Sequence, residues 1–196
     1  MLLLLSSFLL AQWINITPDA SFKNWTRAPI PPTAPLAQAT QWKVEKGVVT
    51  CTGKGGHEWL RYEREFGDFV LSAEWRFIPQ PGEPRYNSGI FVRNSADASI
   101  WHQAQTGKAG GYLFGMTLVN GKPERINLQP EMKENRVKPV GEWNRYVITC
   151  KGQTISLQVN GATVSEYRKT EVPKGYVGLE AEGFPIEFRK IRIRPL

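Results

Sequence analysis

The 196-residue chain contains only two cysteines, two histidines and three methionines. Cys51, Cys150, His57 and His102 never stand in the close pairs that structural zinc sites use. Two histidines also give no convincing Ser–His–Asp order for a hydrolytic triad. The glycine-rich GKGG at residues 53–56 lacks the GK[ST] ending of a phosphate loop. No run of helical period extends along the chain, which excludes bundles and alternating βαβ folds. The longest apolar run, LLLLSSFLL at residues 2–10, is too short to span a bilayer, so no integral membrane segment is expected. It ends at Ala11-Gln12 and reads as a signal peptide over residues 1–11, although no Lys or Arg precedes Lys23. A secreted or periplasmic protein is therefore expected.

The formal charge is +7 and the pI about 9.5. The basic residues are scattered, most densely at Arg189, Lys190, Arg192 and Arg194, and no nucleic-acid motif accompanies them. A solvated strand face explains them better than nucleic acid does, with anionic cell-envelope material as a weak partner. Cys51 and Cys150 each close a strand-like run, VVTC and VITC. In an exported chain they would either pair or remain buried thiols.

Residues 12–41 are rich in proline and alanine. Pro29, Pro31, Pro32 and Pro35 exclude a helix or central strand and suggest an arm that wraps the surface. From Trp42 to Leu196 nearly every segment reads as strand. DFVLSAEWRFI puts Phe69, Leu71, Ala73, Trp75 and Phe77 on one face and Val70, Ser72, Glu74 and Arg76 on the other. Asn160-Gly161 is a two-residue hairpin signal, and Lys151-Gly152-Gln153 a short turn before it. In the last strand Ile186 and Phe188 share one parity while Ile191 and Ile193 share the other, so a β-bulge is expected near Arg189-Lys190. Many short punctuated strands imply an all-β fold, an antiparallel jelly-roll β-sandwich.

Two stretches carry candidate chemistry. In GLEAEG, Glu180 and Glu182 face one way and Leu179 and Ala181 the other. The carboxylates form either a solvated face or the acids of a groove, into which Gly178 and Gly183 would let a ligand approach. In SIWHQAQTG, Trp101, Gln103 and Gln105 share a face, and two amides at this spacing can hydrogen-bond sugar hydroxyls. His102 then points to the core with Ile100 and Ala104 as a satisfied buried histidine, whereas His57, on its glycine-rich loop, is freer to act. Arg93 shares the parity of Phe91 and Gly89 and is either a groove cation or a strand-end charge. Asn87-Ser88-Gly89 reads as a turn into that strand or as a ligand contact.

GGHEWLRYEREFGDFVLSAEWRF, YNSGIFVR, WHQAQTGKAGGYLFG, GEWNRYVITCKGQTISLQVNG and GYVGLEAEGFPIEFRKIRI follow one another in this order over roughly residues 40–194. In this ordered set the chain resembles the 3-keto-disaccharide hydrolase domain family, whose fold is of the concanavalin A-like lectin/glucanase type. The resemblance implies a carbohydrate groove on a concave sheet and an oxidised glycoside, ketone at C3, as substrate. A separate dehydrogenase would supply it. It implies C2 deprotonation, elimination of the C1 substituent and then hydration, with a divalent cation as one available electrophile and no organic cofactor. Metal ligands and oligomeric state are left unassigned. Glu182 falls where relatives carry Glu or His ahead of the glycine, making Glu182 the leading acid/base with His57 beside it. Gln103, Gln105, Arg93, Tyr112, Trp101 and Glu180 become groove contacts. Relatives often carry Glu-x-Gln where this chain has Gln103-Ala104-Gln105. The missing carboxylate at Gln103 favours a second reading, a non-catalytic lectin-like domain.

Overall fold

The computed structural model describes residues 12–82, 85–107 and 110–196. The expected signal peptide, residues 1–11, lies outside them. Fifteen strands occur among the described residues: β1 (Ile14–Asn15), β2 (Trp25–Pro29), β3 (Trp42–Glu45), β4 (Val48–Cys51), β5 (Glu58–Tyr62), β6 (Phe69–Phe77), β7 (Ser88–Asn94), β8 (Trp101–Thr106), β9 (Leu113–Val119), β10 (Lys122–Asn127), β11 (Asn144–Lys151), β12 (Thr154–Val159), β13 (Ala162–Tyr167), β14 (Tyr176–Ala181) and β15 (Ile186–Pro195). They form two antiparallel sheets. One runs β13-β12-β11-β6-β15-β4-β3, with β1 added alongside β15; the other runs β10-β9-β8-β7-β14-β5-β2. The all-β sandwich is as expected.

Alternation builds the core. Phe69, Leu71, Ala73, Trp75 and Phe77 of β6 meet Leu60, Ile90, Val92, Ala104, Leu113 and Leu179 of the facing sheet, all buried. Each such large side chain contributes about 1.5–3 kcal/mol on leaving water. Asn160 and Gly161 both have positive φ, 48° and 96°, and join β12 to β13 as a tight hairpin. The β15 register against β6 slips between Arg189 and Arg192, with Lys190 at φ 51°, which is the expected bulge. Before the bulge β15 pairs with β4, and after it with β1.

The proline-rich segment is more than a surface arm. Its β2 closes one edge of the second sheet against β5, and Pro29 ends that edge strand, where a missing N–H costs no ladder bond. Arg27 of β2 forks onto the buried carboxylate of Glu58 (Nη2–Oε2 2.7 Å), which also accepts from Trp42 Nε1 at 2.7 Å. Cys51 and Cys150 are free and buried, and desolvation pushes both thiols up to about 12. No described helix is long and apolar enough to cross a membrane.

Candidate functional site

The outer face of the second sheet holds a cavity of about 370 Å³ whose lining combines acids, amides and aromatic rings. β14 lies between β7 and β5, so the strand that carries Glu180 has the Asn87–Gly89 segment on one side and the His57 loop on the other. His57 immediately precedes the Glu58 anchor, and its main-chain oxygen accepts from Ile30 N at 3.0 Å. The loop that looked free in the sequence is therefore held at both ends of this short stretch.

Glu180 is the buried centre, 3% exposed. His57 Nε2 lies 3.0 Å from Glu180 Oε1, and Gln103 Nε2 donates to Glu180 Oε2. Ser88 Oγ donates to the main-chain oxygen of Glu180 at 2.8 Å and fixes the strand beneath it. Glu182, just beyond β14, is half-buried and accepts from Asn87 Nδ2 at 2.6 Å. Gln105 Nε2 in turn donates to Asn87 Oδ1. Two amide–carboxylate chains thus converge on the acids, Gln103 on the closed-in Glu180 and Gln105 through Asn87 on the half-buried Glu182.

Glycines make this approach possible. A Cβ on Gly89 would collide with the Gln103 side chain, which crosses the strand at that point to reach Glu180. A Cβ on Gly178 would strike the ring of Trp59. Both are places where a side chain lies flat on the neighbouring backbone.

The electrostatics follow from burial and proximity. Desolvation raises Glu180 to about 7, helped by the nearby Glu182 charge and opposed by His57. Desolvation also raises Glu182, against the pull of His57 and the Asn87 hydrogen bond. Burial alone would depress His57, but its hydrogen bond to Glu180 and the charges of Glu180 and Glu182 hold it above its ordinary value. Burial and Glu182 raise Tyr112, which lines the same cavity. Both carboxyls and the imidazole are shifted upward by burial or by one another, a property of working acids and bases as well as of ion-pair networks, while the Tyr112 hydroxyl is moved further from ionising.

His57, Glu180 and Glu182 place one ligand atom each within 4.8 Å of one another. One imidazole nitrogen and two carboxylates form a donor set that suits zinc, manganese or iron, so a divalent cation fits these residues.

Seven of the eight residues singled out by sequence meet here: His57, Trp101, Gln103, Gln105, Tyr112, Glu180 and Glu182 all line the cavity. Arg93 does not. It is 0% exposed, and its guanidinium reaches Asp68 Oδ1 at 2.8 Å and the main-chain oxygens of Gly67, Gly152 and Val172. The cause is a local bulge. Arg93 has φ 49°, the register against β14 slips there, and the cavity-facing parity passes to Asn94. His102 is buried and satisfied, with Nδ1 3.2 Å from Val92 O and Nε2 2.9 Å from Thr117 Oγ1. Trp59, Phe91, Asn94 and Phe114 were not singled out. The parity of Tyr112 and Phe114 in GYLFG, and of Gly89 and Phe91 in NSGIF, is the signal that would have found two of them.

A family model described as the 3-keto-alpha-glucoside-1,2-lyase-like domain matches residues 11–194. The chain belongs to this family. The resemblance read from the ordered motifs therefore holds, and the match, beginning at residue 11, takes in the whole proline-rich segment of residues 12–41. The comparison with curated proteins found no match. Among solved structures, a candidate glycosyl hydrolase from Parabacteroides distasonis superimposes with TM-score 0.64 at 21% identity, covering 94% of this chain and 100% of its own. A carbohydrate-binding module from Bacillus subtilis gives 0.63 at 13%, covering 87% and 95%. The Bacillus licheniformis β-glucanase gives 0.57 at 11%, covering 95% and 98%. At these identities the likeness is one of fold, the concanavalin-like sandwich, and that fold serves binding modules and glucanases alike.

Proposed function

We propose that this domain cleaves glycosides that carry a ketone at C3 of the sugar, by elimination followed by hydration. The observation that carries the reading is the convergence of His57, Glu180 and Glu182 within 4.8 Å in one carbohydrate-sized cavity. A C3 ketone acidifies the C2 hydrogen. Glu182, half-buried at the cavity and held by Asn87, is the group to take that proton. The electron pair forms a C1=C2 double bond as the C1–O bond breaks, and the leaving oxygen needs a proton. His57, kept basic by Glu180, is placed to hold and deliver it. Water then adds across the double bond, hydroxyl to C1 and proton to C2, and releases the 3-keto sugar. Gln103 and Gln105 hold the acids in place and present amide edges to sugar hydroxyls.

A divalent cation on His57, Glu180 and Glu182 would supply a positive charge against the ketone oxygen. The expected leader at residues 1–11 would place this activity outside the cytoplasm.

The test is aglycone release from 3-keto-glucosides and from their unoxidised parents, each with and without chelator. Release from the keto set alone supports the reading, and loss of that release with chelator makes the triad a ligand set and moves the base role off Glu182. Saturable sugar binding without release from either set would make this a lectin-like domain.

A further inference from the structure

The strand register divides the cavity into two unlike halves. Gly89 pairs with Gln105, and the Leu179–Ile90 pairing puts Glu180 at the same level. This row, with Glu182, His57 and Asn87 beyond it, holds the ionisable and amide groups. One pleat away, Phe91, Gln103, Phe114 and Gly178 share the next row. Gln103 leaves that row by crossing Gly89 toward Glu180, while the Trp59 ring enters it by lying over Gly178. The following row carries Trp101.

The second half is therefore aromatic. Trp101 meets Phe91 at 6.4 Å and Phe114 at 5.2 Å between ring centroids, both edge to face, and Trp59 meets Phe91 in the same way at 5.6 Å. Among the described lining residues, Asn94 is the polar side chain of this half. It is 1% exposed, and its Oδ1 already accepts from His102 N at 2.9 Å. Among the described residues no titratable side chain lines it, although Arg61, level with Gly178, lies over the Trp59 ring at 5.7 Å and Arg125 over the Phe114 ring at 4.7 Å.

We infer that the group attached to C1 of the substrate is an aromatic or similarly flat apolar aglycone, seated on the partly exposed rings of Trp101 and Phe114, with the buried rings of Phe91 and Trp59 completing the cluster, and not a second sugar. The inference rests on the lyase reading for which ring occupies the polar half. A second pyranose in the aromatic half would bring several hydroxyls against carbon surfaces and leave them unpaired, a loss that a flat apolar ring does not suffer. A pyranose face could stack on one ring, but the edge-to-face pair of Trp101 and Phe114 presents a ring face beside a ring edge, a corner that suits a planar guest.

The test compares benzyl 3-keto-glucoside with a 3-keto-disaccharide. The sugar hydroxyl is the more acidic and therefore the better leaving alcohol, so a faster benzyl compound would owe its advantage to the packing of the ring and not to its leaving group. The expected result is a kcat/KM at least about tenfold higher for the benzyl compound. Trp101→Ala, and Phe114→Leu as a milder change, should bring the ratio toward one. Equal values, or a preference for the disaccharide, would overturn the inference. If neither compound is turned over, the lyase reading is what has failed. Calorimetric binding of benzyl glucoside against the unoxidised disaccharide then decides: tighter binding of the benzyl compound upholds the aromatic subsite, and no preference overturns it.

Discussion

Glu180 and Glu182 stand two positions apart on one face, yet their surroundings give them different work. Glu180 is closed in by His57 and Gln103, while Glu182 is half-buried at the cavity and, among the described residues, held by the Asn87 amide. Glu182→Gln preserves shape and the Asn87 contact after an amide flip but removes the base. Turnover of the keto substrate should fall by about 10²–10⁴-fold with sugar binding retained. Single-turnover kinetics beside calorimetry would check this, and unchanged turnover would remove Glu182 from the mechanism. The alternation of LEAE made the shared face legible in the sequence. Which carboxylate lies deeper was not legible, because that depends on His57 arriving from 123 residues away.

Strands position these groups through what they omit. Gly89 on β7 leaves the path by which Gln103 reaches Glu180, so Gly89→Ala would force that amide aside. The expected cost is about 1–3 kcal/mol of overpacking and, through the displaced acid, about a hundredfold in turnover. Denaturant unfolding and kinetics on the same variant separate the two, and a variant that loses stability with full turnover would show that Gln103 is not positioning Glu180. The two bulges show what a strand's own pattern can reveal. In β15, apolar residues on both sides of Arg189-Lys190 change parity, so the slip is written in the sequence. In β7 the strand ends at Asn94, one residue past the bulge, and no second apolar pair exists to betray it. Arg93 was assigned to the cavity face for that reason, and the structure sends it to Asp68 and three carbonyls instead.

The sandwich as a unit buries His102 between its sheets as a neutral ring. Desolvation lowers its pKa from 6.5 to about 4, with the nearby Val92 and Arg93 main chain opposing the shift. Above pH 6.5 the ring is neutral both folded and unfolded. Between 6.5 and 4 the unfolded chain binds the proton and the folded one does not, so stability falls as pH falls through this window. The full loss is about 3 kcal/mol. Chemical denaturation of wild type and His102→Asn at pH 7.5 and at pH 4 should show a smaller acid loss in the variant. Equal losses would place the acid sensitivity elsewhere. The proline-rich segment belongs to the same cooperative unit, since β1 and β2 pair in different sheets and Arg27 closes on Glu58.

Period-two alternation is a local property, so the sequence alone carried the all-β class, the core face of β6, the Asn160-Gly161 hairpin, the β15 bulge and the common face of Trp101, Gln103 and Gln105. The ordered motifs carried the family. Neighbourhood across the sheet is not local. Nothing near Glu180 in the chain states that β14 is inserted between β7 and β5, or that His57 and Gln103, 123 and 77 residues away, will meet its two oxygens. The cavity, its division into polar and aromatic halves and the removal of Arg93 from it exist only once the two sheets close over their shared core, because side chains so distant in sequence are brought together by strand order alone.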